Sequence, residues 1–407
     1  MPELPEVETI ARDLRGLVKG SRIVGVRANW PKTLRSHEPD AFAEAVSGRE
    51  IVGIGRRGKQ LLVMLGSASE TPGSLSPAGI RSVESDPRAD PRADPRADPP
   101  ADPPADSPAV LTVHLKMTGQ LFVVPAGTPQ DRHVHVVLEL ADGRELRFRD
   151  MRKFGRIGLY RCDPETGTPP AGEARGVLPR GAEPLSDEFT LERFIPMLAA
   201  RRGRLKTLLM NQDFLAGVGN IYADEALWAA RIHPLREAVS LRPDEVRRLY
   251  GALLDVLSEA VTLRGSSVDD YTAPEGDGSM QEHLAVYQRE GEPCLRCGFA
   301  IHRIVVGGRS THFCGWCQRL TAAQRARVSK LLATVDRPRR GRRWTELNGE
   351  GVLGRTVDEE ARARRVAATR QAAAARRAAA RAGGSTSPAP APASAPAPAP
   401  ARAGGPA

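Results

Sequence analysis

The chain has 407 residues, a net charge of +10 and a pI near 9.8. That length suits roughly two or three domains, and with no long apolar run and no basic-then-apolar start it predicts neither a membrane span nor a signal peptide, hence a cytosolic protein. The charge is concentrated: residues 337–407 hold 14 Arg against 5 acidic residues, so nearly all of the surplus lies in the tail. A nucleic-acid site in the remainder has to be argued from local clusters.

The start, MPELPEVETI, reads as a helix. Leu4, Val7, Ile10, Leu14 and Leu17 recur at helical spacing, Pro5 fits a first turn, and Glu3, Glu6 and Glu8 suit the positive end of the dipole. Only Pro2 is left over. If the initiator methionine is removed, Pro2 presents a secondary amine, a group able to attack a sugar carbon and form an iminium, with Glu3 beside it as a proton carrier. On these residues alone, an ordinary helix start is the simpler account.

IGRRGKQLLVML (54–65) places Arg56, Arg57 and Lys59 directly before a strand. Residues 86–109 then repeat DPRA-like tetrads, which predicts an extended, solvated loop inside one domain, and AVLTVHLKM (109–117) resumes the strand pattern. HVHVVLEL (133–140) and RELRFRD (144–150) read as a hairpin turning at Asp142-Gly143. HLKMTG (114–119) and RDMRKFGR (149–156) set basic and apolar side chains at strand ends. Each strip is explicable as surface charge around a core residue; together they are expected to supply phosphate contacts, with Met117 and Phe154 able to wedge between base pairs.

The Pro/Gly-rich stretch 162–176 reads as a linker, and 187–263 has helical periods. Within it, NQDFLAGVGNIYADEALWAARIHP (211–234) predicts tight turns at Gly217 and Gly219, a cap at Asn220 and a helix from Ile221 to His233-Pro234. A helix start of this kind can seat a phosphate, although an ordinary capped helix is the more frequent case. Farther on, Cys294 and Cys297, then Cys314 and Cys317, form two C-x-x-C pairs. This spacing suits one tetrahedral structural zinc with no open position; two disulfides are disfavoured in a cytosolic chain. Between the pairs, IVVGGRSTHF reads as a hairpin turning at Gly307-Gly308 with Arg309 at its tip, a position that is ordinarily just solvated. An Ala/Arg stretch and a Pro-Ala repeat end the chain and are expected to be largely disordered.

Together these pieces resemble the formamidopyrimidine-DNA glycosylases, bacterial repair enzymes with an associated abasic-site lyase activity. PELPEVE, RRGK, HLxMTG, DxRxFG, LAGVGNIYADE, EGEPCxRCG and GRSTHFCxxC carry the likeness, over about 1–66, 109–163 and 186–321. PELPEVE and the long segment from Arg264 to Met280 favour the purine-lesion branch over the endonuclease VIII branch. The resemblance implies an α+β multidomain fold. An N-terminal β-sandwich flanked by helices (1–163, with the insert at about 67–109) precedes a linker (164–185) and a helix-two-turn-helix domain (186–286) with a lesion-capping loop at 265–280. A zinc ribbon (287–321) and a basic tail (336–407) follow.

It further implies Pro2 as Schiff-base nucleophile, Glu3 as general acid with Glu6 in support, Lys59 in β-elimination, and Arg309 as a phosphate contact assisting δ-elimination. His133, Arg152 and Arg201 match DNA-contacting positions. Asn220 and Lys206 are expected to hold the phosphate beside the lesion with His114 nearby, and Met117, Arg152 and Phe154 to fill the gap left by a flipped nucleotide. One zinc, duplex DNA as partner and a monomeric state complete the expectation. Two departures stand out: HLGMTG has Lys116 for Gly, and DPRRFG has become DMRKFG, with Met151 and Lys153. An oxidised-pyrimidine glycosylase and a catalytically silent DNA-binding relative are the alternatives.

Overall fold

The computed structural model describes residues 1–67, 103–104, 107–170, 173, 176–266 and 278–333. Most of the DPRA insert, the centre of the expected capping loop and the tail lie outside the described residues.

The N-terminal half is two antiparallel four-stranded sheets, as the alternating apolar runs require. Helix α1 (Leu4–Val18) and α2 (Pro39–Val46) flank strands β1 (Ile23–Ala28), β2 (Ile51–Arg57), β3 (Gln60–Leu65), β4 (Ala109–His114), β5 (Gly119–Pro125), β6 (Val134–Leu140), β7 (Arg144–Asp150) and β8 (Arg156–Arg161). One sheet has the order β1-β6-β7-β5 and the other β2-β3-β4-β8. Their facing sides bury Leu61, Val63, Leu111, Val113, Val136, Leu138, Leu146 and Phe148, together with Ile10 and Leu14 of α1. The insert leaves and re-enters between adjacent strands, with Leu65 opposite Ala109. Its mouth is closed by Arg49, 1% exposed, which donates to the carbonyls of Gly66, Pro104 and Ser107.

The second half packs α3 (Leu191–Ala199), α4 (Leu205–Leu209), α5 (Asn220–Ala229) and α6 (Pro243–Thr262) around Phe194, Phe214, Tyr222, Leu227, Leu253 and Leu257. Pro243 opens α6, and the Glu245 carboxylate accepts the Arg242 amide at 2.9 Å, a capping arrangement. The strands β9 (Ile301–Val306) and β10 (Arg309–Cys314) form the hairpin foreseen between the cysteine pairs. Gly307 (φ 57°) and Gly308 (φ 73°) make its two-residue turn, a conformation that L side chains rarely adopt. Two short helices not expected from the sequence, α7 (Ala322–Arg327) and α8 (Ser329–Leu332), follow the ribbon; Val328, Leu331 and Leu332 pack against Ile304 and Phe313.

The two halves are joined near the N-terminus. Leu4 donates its amide to the Gly217 carbonyl at 3.0 Å, and Arg264 makes a bidentate pair with Asp13 (3.0 and 2.6 Å). Among the described residues no helix is long and apolar enough to cross a membrane.

Candidate active site

Glu3 precedes the first turn of α1, and Glu6 three residues later accepts the Glu3 amide at 2.8 Å. That leaves the Glu3 carboxyl free to point away from its own helix. Its Oε1 accepts the Ile221 amide at 3.0 Å, capping α5 from the other half of the chain. The expected cap, Asn220, is instead the first residue of α5, and Gly219 occupies the capping position. Gly219 leaves room for these groups: an added Cβ would overlap the Glu3 carboxyl and lie 2.5 Å from Lys59 Nζ, so one of them would have to move. The absent side chain is therefore where the carboxyl and the ammonium converge.

Lys59 sits in the turn between β2 and β3, where Arg57 pairs with Gln60. It is 7% exposed. Burial lowers its proton affinity, Glu3 and Glu6 oppose this, and the charges of Arg309 and Lys116 reinforce it. The basic strip that contains it is not the phosphate-facing patch expected. Arg56 and Arg57 both donate to the Glu183 carboxylate; Arg56 also donates to Glu8 at 3.0 Å, and Arg57 to the Gly181 carbonyl at 2.6 Å. Their side chains are 8% and 5% exposed, because internal carboxylates and a carbonyl claim the guanidinium groups. Glu183 also accepts the Gly58 amide at 2.9 Å, so the stretch read as a linker fixes the turn that carries Lys59.

Glu6 is buried under Tyr222. Its Oε1 accepts from the Tyr222 hydroxyl at 2.5 Å and the Ser266 amide at 2.8 Å. Burial, then the Glu3 charge, raises its pKa against these hydrogen bonds, and the Tyr222 phenol is pushed well above its ordinary value, mainly by burial. Ser266 bridges Ser279 across the base of the expected capping loop, tying that base to α1 through Glu6. His114 accepts the Lys116 amide on Nδ1 at 3.1 Å, and burial, with Lys116 and Lys59, holds its pKa down at about 3. It is a neutral imidazole whose remaining proton is on Nε2.

Pro2 is buried next to Glu3, with Met1 exposed ahead of it. Arg309 is exposed at the first position of β10, and its charge reaches Lys59. Met117 and Phe154 are exposed at 38% and 51%, and the Arg152 guanidinium donates to Met117 Sδ at 3.4 Å, which brings two of the three expected gap-fillers together. The buried Asp150 carboxylate shapes this region by accepting from Thr118 Oγ1 and the amides of Arg152 and Gly155. Arg201 is exposed at the end of α3, and His133 is half-buried with its amide on Asp131. Asn220 Oδ1 is buried with no hydrogen-bond partner among the described residues.

Lys206, expected with Asn220 at the phosphate beside the lesion, has its ammonium engaged inside the protein. It is 0% exposed and donates to the Asn220 carbonyl and to Asp224 Oδ1, both at 2.7 Å. Asp224 Oδ2 accepts the His312 amide of β10 at 2.9 Å, and Glu225 accepts the amides of Ala285, Val286 and Tyr287. These acceptors, with Glu183, Tyr222 and Ser266, were missed from sequence, where only the NIYADE run hinted that both carboxylates mattered.

The sulfurs of Cys294, Cys297, Cys314 and Cys317 all lie within 4.8 Å of one another, and none is in a disulfide. Separations of 3.9 Å (Cys294–Cys317) and 3.4 Å (Cys297–Cys314) fit the tetrahedron edge of about 3.8 Å set by Zn–S bonds of about 2.3 Å. The four thiolates hold one structural zinc. Trp228 of α5 donates its indole N–H to Cys294 at 3.4 Å, linking the ribbon to the helix that Glu3 caps.

A β-sandwich whose N-terminal carboxyl caps a helix of a second, zinc-bearing helical domain defines a two-domain repair-glycosylase architecture. Comparison with known proteins agrees. Residues 1–157 match the formamidopyrimidine-DNA glycosylase N-terminal domain, 180–272 the H2TH domain of the same enzymes, and 291–320 the zinc finger found in FPG and IleRS. The formamidopyrimidine-DNA glycosylase of Herpetosiphon aurantiacus is 43% identical over 320 residues, 78% of this chain and 100% of the relative; that of Bacillus subtilis is 37% identical, covering 78% and 99%. Among solved structures, Lactococcus lactis Fpg in complex with DNA containing an abasic site is 30% identical with a TM-score of 0.63, covering 78% of this chain and all of that one. MutM (FPG) from Thermus thermophilus is 39% identical with a TM-score of 0.59, covering 78% and 98%. The chain belongs to the formamidopyrimidine-DNA glycosylase family, bifunctional glycosylase/abasic-site lyases of base-excision repair.

Proposed function

We propose that the chain excises oxidised purines, 8-oxoguanine and formamidopyrimidines, from duplex DNA and then cleaves the strand by β,δ-elimination. The observation that carries this reading is the convergence of Glu3 and Lys59 at Gly219, one residue from Pro2.

After removal of Met1, the Pro2 nitrogen lone pair attacks C1′ of an extruded nucleotide. The glycosidic bond breaks and the base departs with a proton supplied from the acid group of Glu3; the Pro2 nitrogen then gives up its own proton, O4′ gains one as the C1′–O4′ bond breaks, and the opened sugar is left as an iminium on Pro2. Loss of a C2′ proton expels the 3′ phosphate, and a second elimination expels the 5′ phosphate. Lys59, whose burial disfavours its charged form, suits the proton transfers of the first elimination, and Arg309 suits charge compensation on the phosphate in the second. Asn220 at the start of α5, backed by Lys206, and His114 through Nε2 would position the phosphate beside the lesion. His133, Arg152 and Arg201 would hold the backbone, while Met117, Arg152 and Phe154 fill the vacated stack.

Borohydride trapping tests this directly. The protein mixed with a duplex carrying 8-oxoguanine opposite cytosine should yield a covalent adduct that peptide mass spectrometry places on an N-terminal Pro2. Confirmed binding and methionine removal with no adduct would defeat the nucleophile assignment for that lesion. Preferential turnover of an oxidised pyrimidine would transfer the enzyme to the other branch.

A further inference from the structure

The zinc ribbon carries an aromatic cluster that the chemistry above leaves unused. Leu295 lies inside the first C-x-x-C pair, Phe299 two residues beyond it, and Trp316 inside the second pair; all three are exposed. The Phe299 and Trp316 rings stack with centroids 4.7 Å apart and planes 16° apart. The Arg319 guanidinium lies 4.0 Å from the centroid of the Trp316 ring, and its Nε donates to the Trp316 carbonyl at 3.0 Å. The Cys294 amide donates to the Phe299 carbonyl at 2.8 Å, so the metal-binding turn that fixes Cys294 also fixes Phe299. Large apolar side chains held together and left in water mark a docking surface in a way that one scattered leucine does not.

The cluster lies at the far end of the ribbon from Arg309. The β9–β10 ladder runs from Arg309 opposite Val306 at the tip to Cys314 opposite Ile301 at the metal end, which at the rise of an antiparallel strand separates the two ends by about 17 Å. Its charge is one-sided. The Arg296 guanidinium rests 4.0 Å from the centroid of the Trp228 ring and donates to the Trp228 carbonyl at 3.1 Å, and neither Arg296 nor Arg319 pairs with a carboxylate among the described residues. The glutamates ahead of the first pair are engaged elsewhere, Glu292 by Arg289 at 2.7 Å and Glu290 by Arg303 at 3.9 Å. With Phe299 and Arg319 both laid against the Trp316 ring, little of its face is left for a nucleobase. What remains is ring edge, the outer side of Phe299 and Leu295, beside two guanidinium groups suited to carboxylates.

We propose that this face of the ribbon docks an acidic segment of a partner protein, its aromatic or aliphatic side chains against Leu295, Phe299 and Trp316 and its carboxylates on Arg296 and Arg319. Charge complementarity selects the occupant: a second copy of this chain meeting the same face would set Arg319 and Arg296 against their own equivalents, a like-charge contact. Because the cluster and Arg309 occupy opposite ends of one hairpin, a partner held there would leave the Arg309 end uncovered.

The zinc-loaded full-length protein should be panned with a phage-displayed random-peptide library already depleted on its F299S/W316S variant. Enriched sequences should combine Asp or Glu with Phe, Trp, Leu or Ile. A synthetic copy of the most enriched peptide should bind the wild type less tightly as salt rises, and should bind F299S/W316S and R319E weaker by about 10-fold or more. Both variants should keep one zinc per chain and the wild-type melting temperature; R319E, altered only at an exposed side chain, carries the test by itself if F299S/W316S loses its metal. Enriched peptides of neutral or basic composition would overturn the proposal, as would no enrichment at all. An acidic peptide bound equally by the wild type and R319E would also overturn it. Binding of oligo(dT) that is lost in both variants, with no acidic peptide enriched, would make this face a single-strand nucleic-acid site instead.

Discussion

Glu3 Oε1 accepts the amide proton of Ile221 at 3.0 Å, across 218 positions of chain. The contact satisfies a free amide at the start of α5 and holds the carboxyl with one oxygen engaged and the other, Oε2, buried with no partner among the described residues. The same hydrogen bond that orients the proposed acid also joins the sandwich to the helical domain. Positioning and domain assembly are one event at this point of the fold.

The first prediction follows from the space beside that contact. Gly219 has φ near −130°, outside the left-handed region that demands glycine, so G219A tests chiefly the space beside it. Its methyl group must displace either the Glu3 carboxyl or the Lys59 ammonium. A displacement of about 1 Å at reacting groups costs about 100-fold in rate. Single-turnover excision should fall by that order while the zinc content stays at one per chain; excision at the wild-type rate would show that the two groups do not meet there.

The sequence was most legible where the chemistry is local. The C-x-x-C pairs, the Gly307-Gly308 turn, the α1 apolar stripe and the hairpin at Asp142-Gly143 all depend on residues a few positions apart. Acceptors that act over distance were not legible. Glu183 meets Arg57 across 126 positions, Asp224 meets His312 across 88, and Glu225 meets Ala285 across 60, so none has a partner in its own window. This is also why Arg56 and Arg57 read as a DNA-facing strip: a cationic run looks alike whether its carboxylate lies in water's place or in a distant loop. The Lys206–Asp224 pair was not legible for the same reason, Asp224 being a partner only once α5 is folded against α4.

Lys206 and Asp224 form an ion pair with both side chains 0% exposed, closed on further sides by the Asn220 carbonyl and the His312 amide. Removing one partner strands a buried charge and costs about 3–5 kcal/mol, whereas replacing both with apolar residues of similar volume is often tolerated. K206M should lower the urea midpoint strongly, and K206M/D224L should recover much of the loss. Because the ammonium does not reach the surface, the folded double variant should bind abasic duplex with the wild-type salt slope. A slope flattened by one contact would instead make Lys206 a direct phosphate ligand.

The zinc-bound ribbon carries Arg309 and is tied to α5 by the Trp228–Cys294 and Asp224–His312 contacts. Structural zinc supplies folding free energy outright. Prolonged chelation should therefore release one zinc per chain, unfold the β9–β10 hairpin and abolish duplex binding, with recovery on adding zinc back. The sandwich, with its own core, should persist as a cooperative unfolding transition in the chelated protein. Undiminished DNA binding by fully demetallated protein would show that Arg309 and α5 are held without the ribbon.

Acid should destabilise the protein from below neutrality. His233 is 3% exposed, its Nδ1 accepts the Leu235 amide at 3.1 Å, and its ring lies 4.5 Å from that of Phe313. Burial, with the charges of Arg325, His302 and Arg236, lowers its pKa from 6.5 to about 3; His114 is lowered to about 3 as well, by burial, Lys116 and Lys59. In the unfolded chain both titrate near the ordinary value, so between pH 6.5 and 3 the unfolded state binds more protons than the folded one. Stability is then complete above that window and declines as pH falls through it, by up to about 1.4 kcal/mol per pH unit for each histidine. H233Q, which cannot charge, should be less stable than wild type at pH 7.5, through lost packing on Phe313, yet decline less steeply between pH 6.5 and 5. Urea midpoints at saturating zinc would read this. Parallel declines in the two proteins would mean that His233 takes up its proton in the folded state near its ordinary pKa.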